Sequence, residues 1–303
     1  IKPRQKFEGH AGWINGTIHL ADGERMITCS EDGSLQVWNL KSGKQMGEDW
    51  RDGDTKVWTM VLSPDGKKVV SGSEDGGVRL WDIATGKLIA TWTGHTKTVR
   101  CMCWSRDGHR VVSGSEDGTA REWDVENGKT ILGPIETGHK CAWEVLYSPD
   151  MTMFATVGDN EESKHPIKIW DAKTGELVAS LNGHADSVLC LAWTPDGATL
   201  ISGSDDFSIR TWNTKTWKQL ALLDEHTEGV YGIAIPPNGR ILASASLDNT
   251  ARLWNLENSQ PISSPLHHAS LVNCVSFSGD GKLLFTGCDD NNAYTWDVSA
   301  ILK

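Results

Sequence analysis

The stretch SGSEDGGVRLWD at residues 71–82 returns almost unchanged as SGSEDGTAREWD at residues 113–124. Both copies join a short apolar run to a Glu-Asp-Gly turn and end on tryptophan and aspartate. Tryptophans at this point of the pattern stand at 38, 81, 123, 170, 212, 254 and 296, so successive spacings are 43, 42, 47, 42, 42 and 42 residues. Self-similarity at a fixed period is typical of repeat architectures. The sequence therefore predicts seven units that fill residues 1–303 as a single domain.

Each unit has the composition of short strands separated by tight turns. KKVVSGS (67–73), VRLWDI (78–83) and KLIATW (87–92) are rich in valine, isoleucine, leucine and tryptophan. PDG (64–66) and EDG (74–76) lie between such runs and are turn sequences. Roughly four strands of about five residues fit into one unit. We therefore expect an all-β fold.

The units resemble WD repeats, which carry Gly-His near the start and Trp-Asp near the end. Gly-His occurs at 9–10, 94–95, 138–139 and 183–184, and Trp-Asp at 81–82, 123–124, 170–171 and 296–297. The resemblance covers the whole chain and implies a seven-bladed β-propeller of four-stranded antiparallel blades. KPRQKFEGH (2–10) is similar to KLIATWTGH (87–95), the last strand of a unit. The N-terminal strand is therefore expected to complete the last blade and close the ring.

A histidine, a hydroxyl, an aspartate and the repeat tryptophan recur at fixed spacing. Serine, histidine and aspartate also form hydrolase triads, but a catalytic site is needed once, whereas this set recurs. The resemblance implies structural tetrads instead, and no catalytic residue is predicted. The predicted tetrads are His10, Thr28, Asp32 and Trp38; His95, Ser113, Asp117 and Trp123; His184, Ser202, Asp206 and Trp212; His226, Ser244, Asp248 and Trp254; and His268, Thr286, Asp290 and Trp296.

Two units depart from this pattern. The second has Gly53 where a histidine is expected, although Ser71, Asp75 and Trp81 remain. The fourth is one residue short after His139 and has a long turn at 158–166, so that its acid is either Asp159 or the position is taken by an asparagine at 160. We expect these two blades to be held less rigidly.

The resemblance also implies that partners dock on the top face, around the mouth of the central channel. The positions that form this face carry aromatic and acidic side chains, which suit a cationic, partly apolar peptide. A solvated acidic rim is the alternative interpretation, with Trp58 and Trp143 partly buried between blades. The predicted partner-binding residues are Trp13, Glu31, Trp58, Glu74, Arg100, Glu116, Trp143, Asp159, Asp205, Tyr231 and Asp289.

The net charge indicates the class of partner, and the positions of the cysteines indicate the cellular compartment. Acids outnumber bases by 40 to 29 and the net charge is −11, which opposes binding to nucleic acid or to an anionic membrane. Most of the seven cysteines lie in apolar strand-like runs and are interpreted as reduced thiols of an intracellular compartment. We expect a cytoplasmic location, with a nuclear one left open, and neither a metal site nor a cofactor.

The predicted function is a non-catalytic scaffold that binds a protein or peptide, with a basic peptide as the expected class. We expect a monomeric propeller within a larger complex. One alternative is the ligand-sensing arm of a larger signalling ATPase, by analogy with such WD-repeat arms. The other is a propeller hydrolase or lyase whose site lies at the fourth-unit loop, with Asp159, Glu161, Glu162 and His165 as candidate ligands.

Overall fold

The computed structural model describes residues 5–20, 22–159 and 166–302, which form seven antiparallel sheets arranged as the blades of a propeller. Blades 1 to 3 contain β2 (Ile14–His19), β3 (Arg25–Ser30), β4 (Leu35–Asn39), β5 (Val57–Leu62), β6 (Lys68–Ser73), β7 (Val78–Asp82), β8 (Leu88–Trp92), β9 (Val99–Trp104), β10 (Arg110–Ser115), β11 (Thr119–Asp124) and β12 (Thr130–Glu136). Blades 4 and 5 contain β13 (Cys141–Tyr147), β14 (Met153–Asp159), β15 (Ile167–Asp171), β16 (Leu177–Leu181), β17 (Val188–Trp193), β18 (Thr199–Ser204), β19 (Ile209–Asn213) and β20 (Gln219–Leu223).

Blades 6 and 7 contain β21 (Val230–Ala234), β22 (Ile241–Ser246), β23 (Thr250–Asn255), β24 (Gln260–Pro261), β25 (Leu266–His267), β26 (Val272–Phe277), β27 (Leu283–Cys288), β28 (Asn292–Asp297) and β1 (Gln5–Glu8). A four-residue helix, α1 (Val298–Ile301), follows β28. Within the described ranges, no helix has the length and apolar character needed to cross a membrane.

The ring is closed by the first strand of the chain. The inner strands β2, β5, β9, β13, β17, β21 and β26 each contact the inner strand of the next blade, and β26 contacts β2. Strand β1 pairs with β28, with Gln5 opposite Thr295 and Glu8 opposite Asn292. This confirms the expectation that the N-terminal strand completes the last blade.

The outermost strands of two blades are irregular. In blade 1 the outer position is reduced to isolated bridges that join Leu35 to Trp50 and Trp38 to Gln45. In blade 6 it is divided between β24 and β25, which both pair with β23. Pro261 and Pro265 lie in this segment, and proline has no backbone N–H to donate to a ladder. The two prolines therefore remove two backbone donors from the outer edge of blade 6.

The hydrophobic core lies between neighbouring blades. Each repeat tryptophan packs into the layer that joins its own blade to the preceding one, as Trp81 does with Leu35 and Trp50. All seven repeat tryptophans are buried, the most accessible being Trp170 at 6 %. Burying an aromatic face in every layer stabilises the stacking of blades, because no single blade can cover its own apolar faces.

Candidate functional site

A β-bulge in every inner strand builds the mouth of the central channel. In β13, for example, Ala142 lies opposite Gly158 and Glu144 opposite Val157, so that Trp143 between them has no partner across the strands. A bulged residue leaves the ladder and is re-aimed by the local bend. The seven bulged residues line one cavity of about 380 Å³. They are Asn15, Trp58, Arg100, Trp143, Leu189, Tyr231 and Asn273.

Arg100 lies between two of the predicted aromatic anchors. Its guanidinium carbon is 3.8 Å from the ring centroid of Trp58 and 4.9 Å from that of Trp143. Its Nε donates to Glu116 at 2.8 Å, and a second guanidinium nitrogen bonds the same carboxylate. The chain therefore supplies its own cation to this pair of rings, which covers the ring surfaces that were predicted to receive a partner.

An ion pair also joins blades 1 and 2. The ammonium of Lys56 donates to Glu31 at 2.7 Å and lies 5.7 Å from the Trp58 ring centroid. Glu74 is exposed at the rim. Asp159 has a local role, since its carboxylate accepts from the backbone N–H of Cys141 at 2.9 Å. Glu161, Glu162 and His165 lie outside the described residues.

The opposite side of the mouth is open and acidic. Trp13 and Tyr231 are 48 % and 42 % exposed. Burial raises the pKa of Asp205, and the neighbouring acids Asp186 and Glu228 raise it further. Burial likewise raises the pKa of Asp289, against a hydrogen bond that Asn273 donates to it. Among the described residues, no lysine or arginine lies within ion-pair distance of Asp205 or Asp289.

Four of the five predicted tetrads have one common geometry. In blade 5, Nδ1 of His184 donates to Asp206 at 2.9 Å, Nε2 lies 2.8 Å from the hydroxyl of Ser202, and the indole N–H of Trp212 donates to that hydroxyl at 2.9 Å. The same three contacts join His10, Thr28, Asp32 and Trp38; His95, Ser113, Asp117 and Trp123; and His226, Ser244, Asp248 and Trp254.

Hydrogen bonding decides the charge state of the tetrad carboxylates. Burial alone would raise the pKa of Asp206, but hydrogen bonds from His184 and Ser208 outweigh it and hold the pKa well below its usual range. The aspartates of the other three complete tetrads respond in the same way. These side chains satisfy one another inside the blade, which is the arrangement of a structural element.

The tetrad predicted for blade 7 is corrected by the structure. His268 contacts Thr286 at 2.8 Å, and Trp296 donates to Thr286 at 3.0 Å, as expected. Nδ1 of His268, however, donates to the carbonyl oxygen of Leu266 at 3.0 Å rather than to Asp290. Asp290 instead accepts from the hydroxyl of Tyr294. The hydroxyl of Tyr294, four residues after Asp290, thus replaces the histidine as the hydrogen-bond donor to this carboxylate.

The two atypical blades keep the bond to tryptophan. In blade 2 the indole of Trp81 donates to Ser71 at 2.8 Å, and the carboxylate of Asp75 is held by Arg79, which also bonds Asp52. In blade 4 the indole of Trp170 donates to the hydroxyl of Thr156 at 2.9 Å.

The sequence model of the family described as "WD domain, G-beta repeat" matches residues 1–39, 49–82, 86–124, 175–213, 217–255 and 259–297. The chain belongs to the WD40 repeat family. The stretch between the third and fourth matches contains most of blade 4, whose spacing departs from the other WD40 units. The family and the fold fit a protein-interaction scaffold.

Curated relatives of this WD40 chain are similar over short segments. Intraflagellar transport protein 122 homolog of Mus musculus is 31 % identical over 74 residues, 24 % of this chain and 6 % of its own length. WD repeat-containing protein 1 of Gallus gallus is 38 % identical over 65 residues, 20 % of this chain and 10 % of its own length. Lissencephaly-1 homolog 1 of Paramecium tetraurelia is 44 % identical over 39 residues, 13 % of this chain and 10 % of its own length. The matches thus span at most a tenth of these relatives.

Three features of the WD40 ring were not predicted from the sequence. In blade 2, Arg79 donates to the carboxylate of Asp75, which a histidine binds in the complete tetrads. The position of the arginine four residues after Asp75 was the available signal. Arg100 was placed on the face, but its stacking between two rings was not predicted. Glu144 was not considered, although it is the only carboxylate among the described residues that line the channel cavity.

Proposed function

We propose that this propeller is a non-catalytic scaffold that docks a basic peptide on the open side of the channel mouth. The peptide would lie across Trp13, Tyr231, Asp205 and Asp289, which we call the acidic docking surface. We further propose that it acts as a monomer within a larger complex in the cytoplasm.

One observation carries this proposal: the acids of this surface have no internal cation, whereas those of blades 1 and 3 do. Burial, with a smaller effect of neighbouring acids, raises the pKa of both Asp205 and Asp289, so an incoming lysine or arginine would stabilise their charged forms. Charge-assisted hydrogen bonds to carboxylates are among the stronger polar contacts. Exposed aromatic rings beside these acids would supply apolar contact area.

The pairing of Arg100 with Glu116 favours the same location. A partner cation would have to displace an arginine that already contacts two rings and a carboxylate. The side of the mouth formed by blades 2 to 4 is therefore a poor receptor for a second cation. We expect the docking energy to come from Trp13 and Tyr231 rather than from Trp58 and Trp143.

The test uses two fluorescein-labelled peptides with the same apolar residues, one rich in lysine and one rich in glutamate. Fluorescence anisotropy should report binding of the lysine-rich peptide alone. Tyr231→Ala combined with Asp205→Asn should weaken that binding by about tenfold or more. Glu176→Gln removes an exposed acid in the turn between β15 and β16, outside the docking surface, and serves as the control. Equal binding of both peptides, or no loss in the double variant, would contradict the proposal.

A further inference from the structure

One residue of the channel wall breaks the pattern of its ring. The residue directly after each bulge is small in six blades: Gly16, Thr59, Cys101, Cys190, Gly232 and Cys274. In blade 4 the same position is Glu144, one residue beyond the bulged Trp143. Five of these six small residues line the channel cavity, and blade 4 places a carboxylate in the same lining.

The surroundings of Glu144 lack a compensating charge. Among the described residues, no lysine, arginine or histidine lies within ion-pair distance of its carboxylate. Arg100 is the other charged residue of the cavity lining, and it is bonded to Glu116. Burial raises the pKa of Glu144 to about 8, while a hydrogen bond from the backbone N–H of Val145 lowers it. A carboxylate in such a site gains more from a cation than one in water does.

The remaining wall of the cavity is suited to an alkyl chain. Met60, Val61, Met102, Ile233 and Val275 line it, and the cavity volume is about 380 Å³. Ligand pockets of proteins are commonly roughly 300–1,000 Å³, largely apolar, with a few polar groups that fix orientation. This pocket has that composition, with a single anionic group.

We propose that the channel is a binding site for a primary alkylammonium ion, with Glu144 as its counter-ion. The ammonium is a compact point charge that one carboxylate can pair, whereas a guanidinium is best matched by bidentate partners. The methylene groups would contact the methionine and branched side chains of the wall. The ligand is either a free amine or the side chain of a lysine, and the site does not depend on which peptide covers the acidic docking surface.

The test is isothermal titration calorimetry of the full chain with n-butylammonium and, separately, with N-acetyl-lysine-N-methylamide. At least one should bind with a dissociation constant below about 10 mM, and neutral n-butanol should bind more weakly. Binding of n-butylammonium assigns the site to free amines as well. Binding of the lysine derivative alone assigns it to a lysine side chain.

The decisive comparison is between Glu144→Gln and Glu176→Gln, which each remove one carboxylate; Glu176 is exposed in the turn between β15 and β16. Glu144→Gln should weaken binding about tenfold or more, and Glu176→Gln should leave it within about twofold. Glu144→Thr copies the residue that blade 2 has at this position and provides a second variant if the glutamine variant is unstable. Absence of binding by both amines, or equal binding by wild type and the folded Glu144 variants, would overturn the proposal. Failure of the peptide test would leave this result unaffected.

Proton release gives an independent readout. Because the free carboxyl is largely protonated at neutral pH, ammonium binding should release a proton, and affinity should rise from pH 6 to pH 9. Alkylammonium ions keep their charge there, with a pKa near about 10.4. The other titratable or charged groups near Glu144 are Cys101, Cys103 and Cys190, whose pKa values burial raises, and the paired Arg100. A pH-independent affinity would contradict the assignment to Glu144.

Discussion

Blades 5 and 7 each have a histidine, a hydroxyl residue, an aspartate and a tryptophan at the tetrad positions, with the same spacing. The hydroxyl residue is serine in blade 5 and threonine in blade 7. Only blade 5 forms the complete hydrogen-bond network. His184 joins Asp206 to Ser202. His268 joins the backbone of Leu266 to Thr286, while Asp290 is bound by Tyr294. Position 294 corresponds to Arg210 in blade 5, which bonds Gln219 and leaves Asp206 to the histidine. In blade 7, therefore, a donor outside the tetrad occupies the carboxylate that the histidine binds in blade 5.

The largest expected effect comes from removing β1, the N-terminal strand that completes blade 7 by pairing with β28. Deletion of residues 1–7 removes all of β1 except Glu8. It also removes the buried Phe7, which packs against Trp38 at 5.8 Å between ring centroids. It also exposes the edge of β28, and open strand edges promote association. We expect loss of cooperative unfolding and aggregation, measured by circular dichroism melting and light scattering. A monomeric deletion variant with unchanged melting would show that β1 does not stabilise the closed ring.

The second largest expected effect is a difference in stability loss between alanine variants of His184 and His268. His184→Ala leaves the largely buried Asp206 without its main partner and should lower the free energy of unfolding by about 2–4 kcal/mol. His268→Ala leaves Asp290 bonded to Tyr294 and should cost about 1–2 kcal/mol. Urea denaturation of the two variants measures the difference. Equal losses would mean that the aspartate contact adds nothing to the stability of blade 5.

The smallest effect is a difference in acid sensitivity. Burial lowers the pKa of His268 to about 4 from 6.5, so the folded state binds fewer protons than the unfolded state within that interval. The contribution of neutral His268 to the free energy of unfolding is therefore fully present above about pH 6.5 and is lost as the pH falls toward 4. Asp206 has a depressed pKa, so its contribution is lost only below the unfolded value of about 3.9.

Melting temperatures of wild type and His268→Gln across pH 4 to 7 test this difference. The wild type should lose stability more steeply than the variant over that interval. Tyr294→Phe frees Asp290 to approach His268, which would raise the pKa of the imidazole and flatten the slope. Parallel curves for wild type and His268→Gln would contradict the assignment to this histidine.

Much of the propeller was predictable because its determinants are local. The spacing of repeat tryptophans such as Trp81 and Trp123 predicts the number of blades, since each supplies one layer between blades. The similarity of the first strand to the segment ending at Trp92 predicts how the ring closes.

The charge pairing of the mouth was less predictable. The contacts of Arg100 depend on rings from both neighbouring blades, and the position of Glu144 depends on a one-residue bulge. The hydrogen bond from Tyr294 to Asp290 likewise depends on whether the tyrosine hydroxyl or the imidazole of His268 is better placed to donate to the carboxylate. Such choices are made by three-dimensional register, which residue spacing within one unit does not encode.

The pairing of β1 with β28 also has a mechanical consequence. Gln5 lies opposite Thr295, next to the end of β28, so the chain leaves both strands on the same side of the pair. A pulling force applied to these two exits would load the backbone hydrogen bonds one after another, as in unzipping, rather than together in shear. Under tension the ring would thus open at this seam at low force, while the blades built from contiguous chain would still be intact.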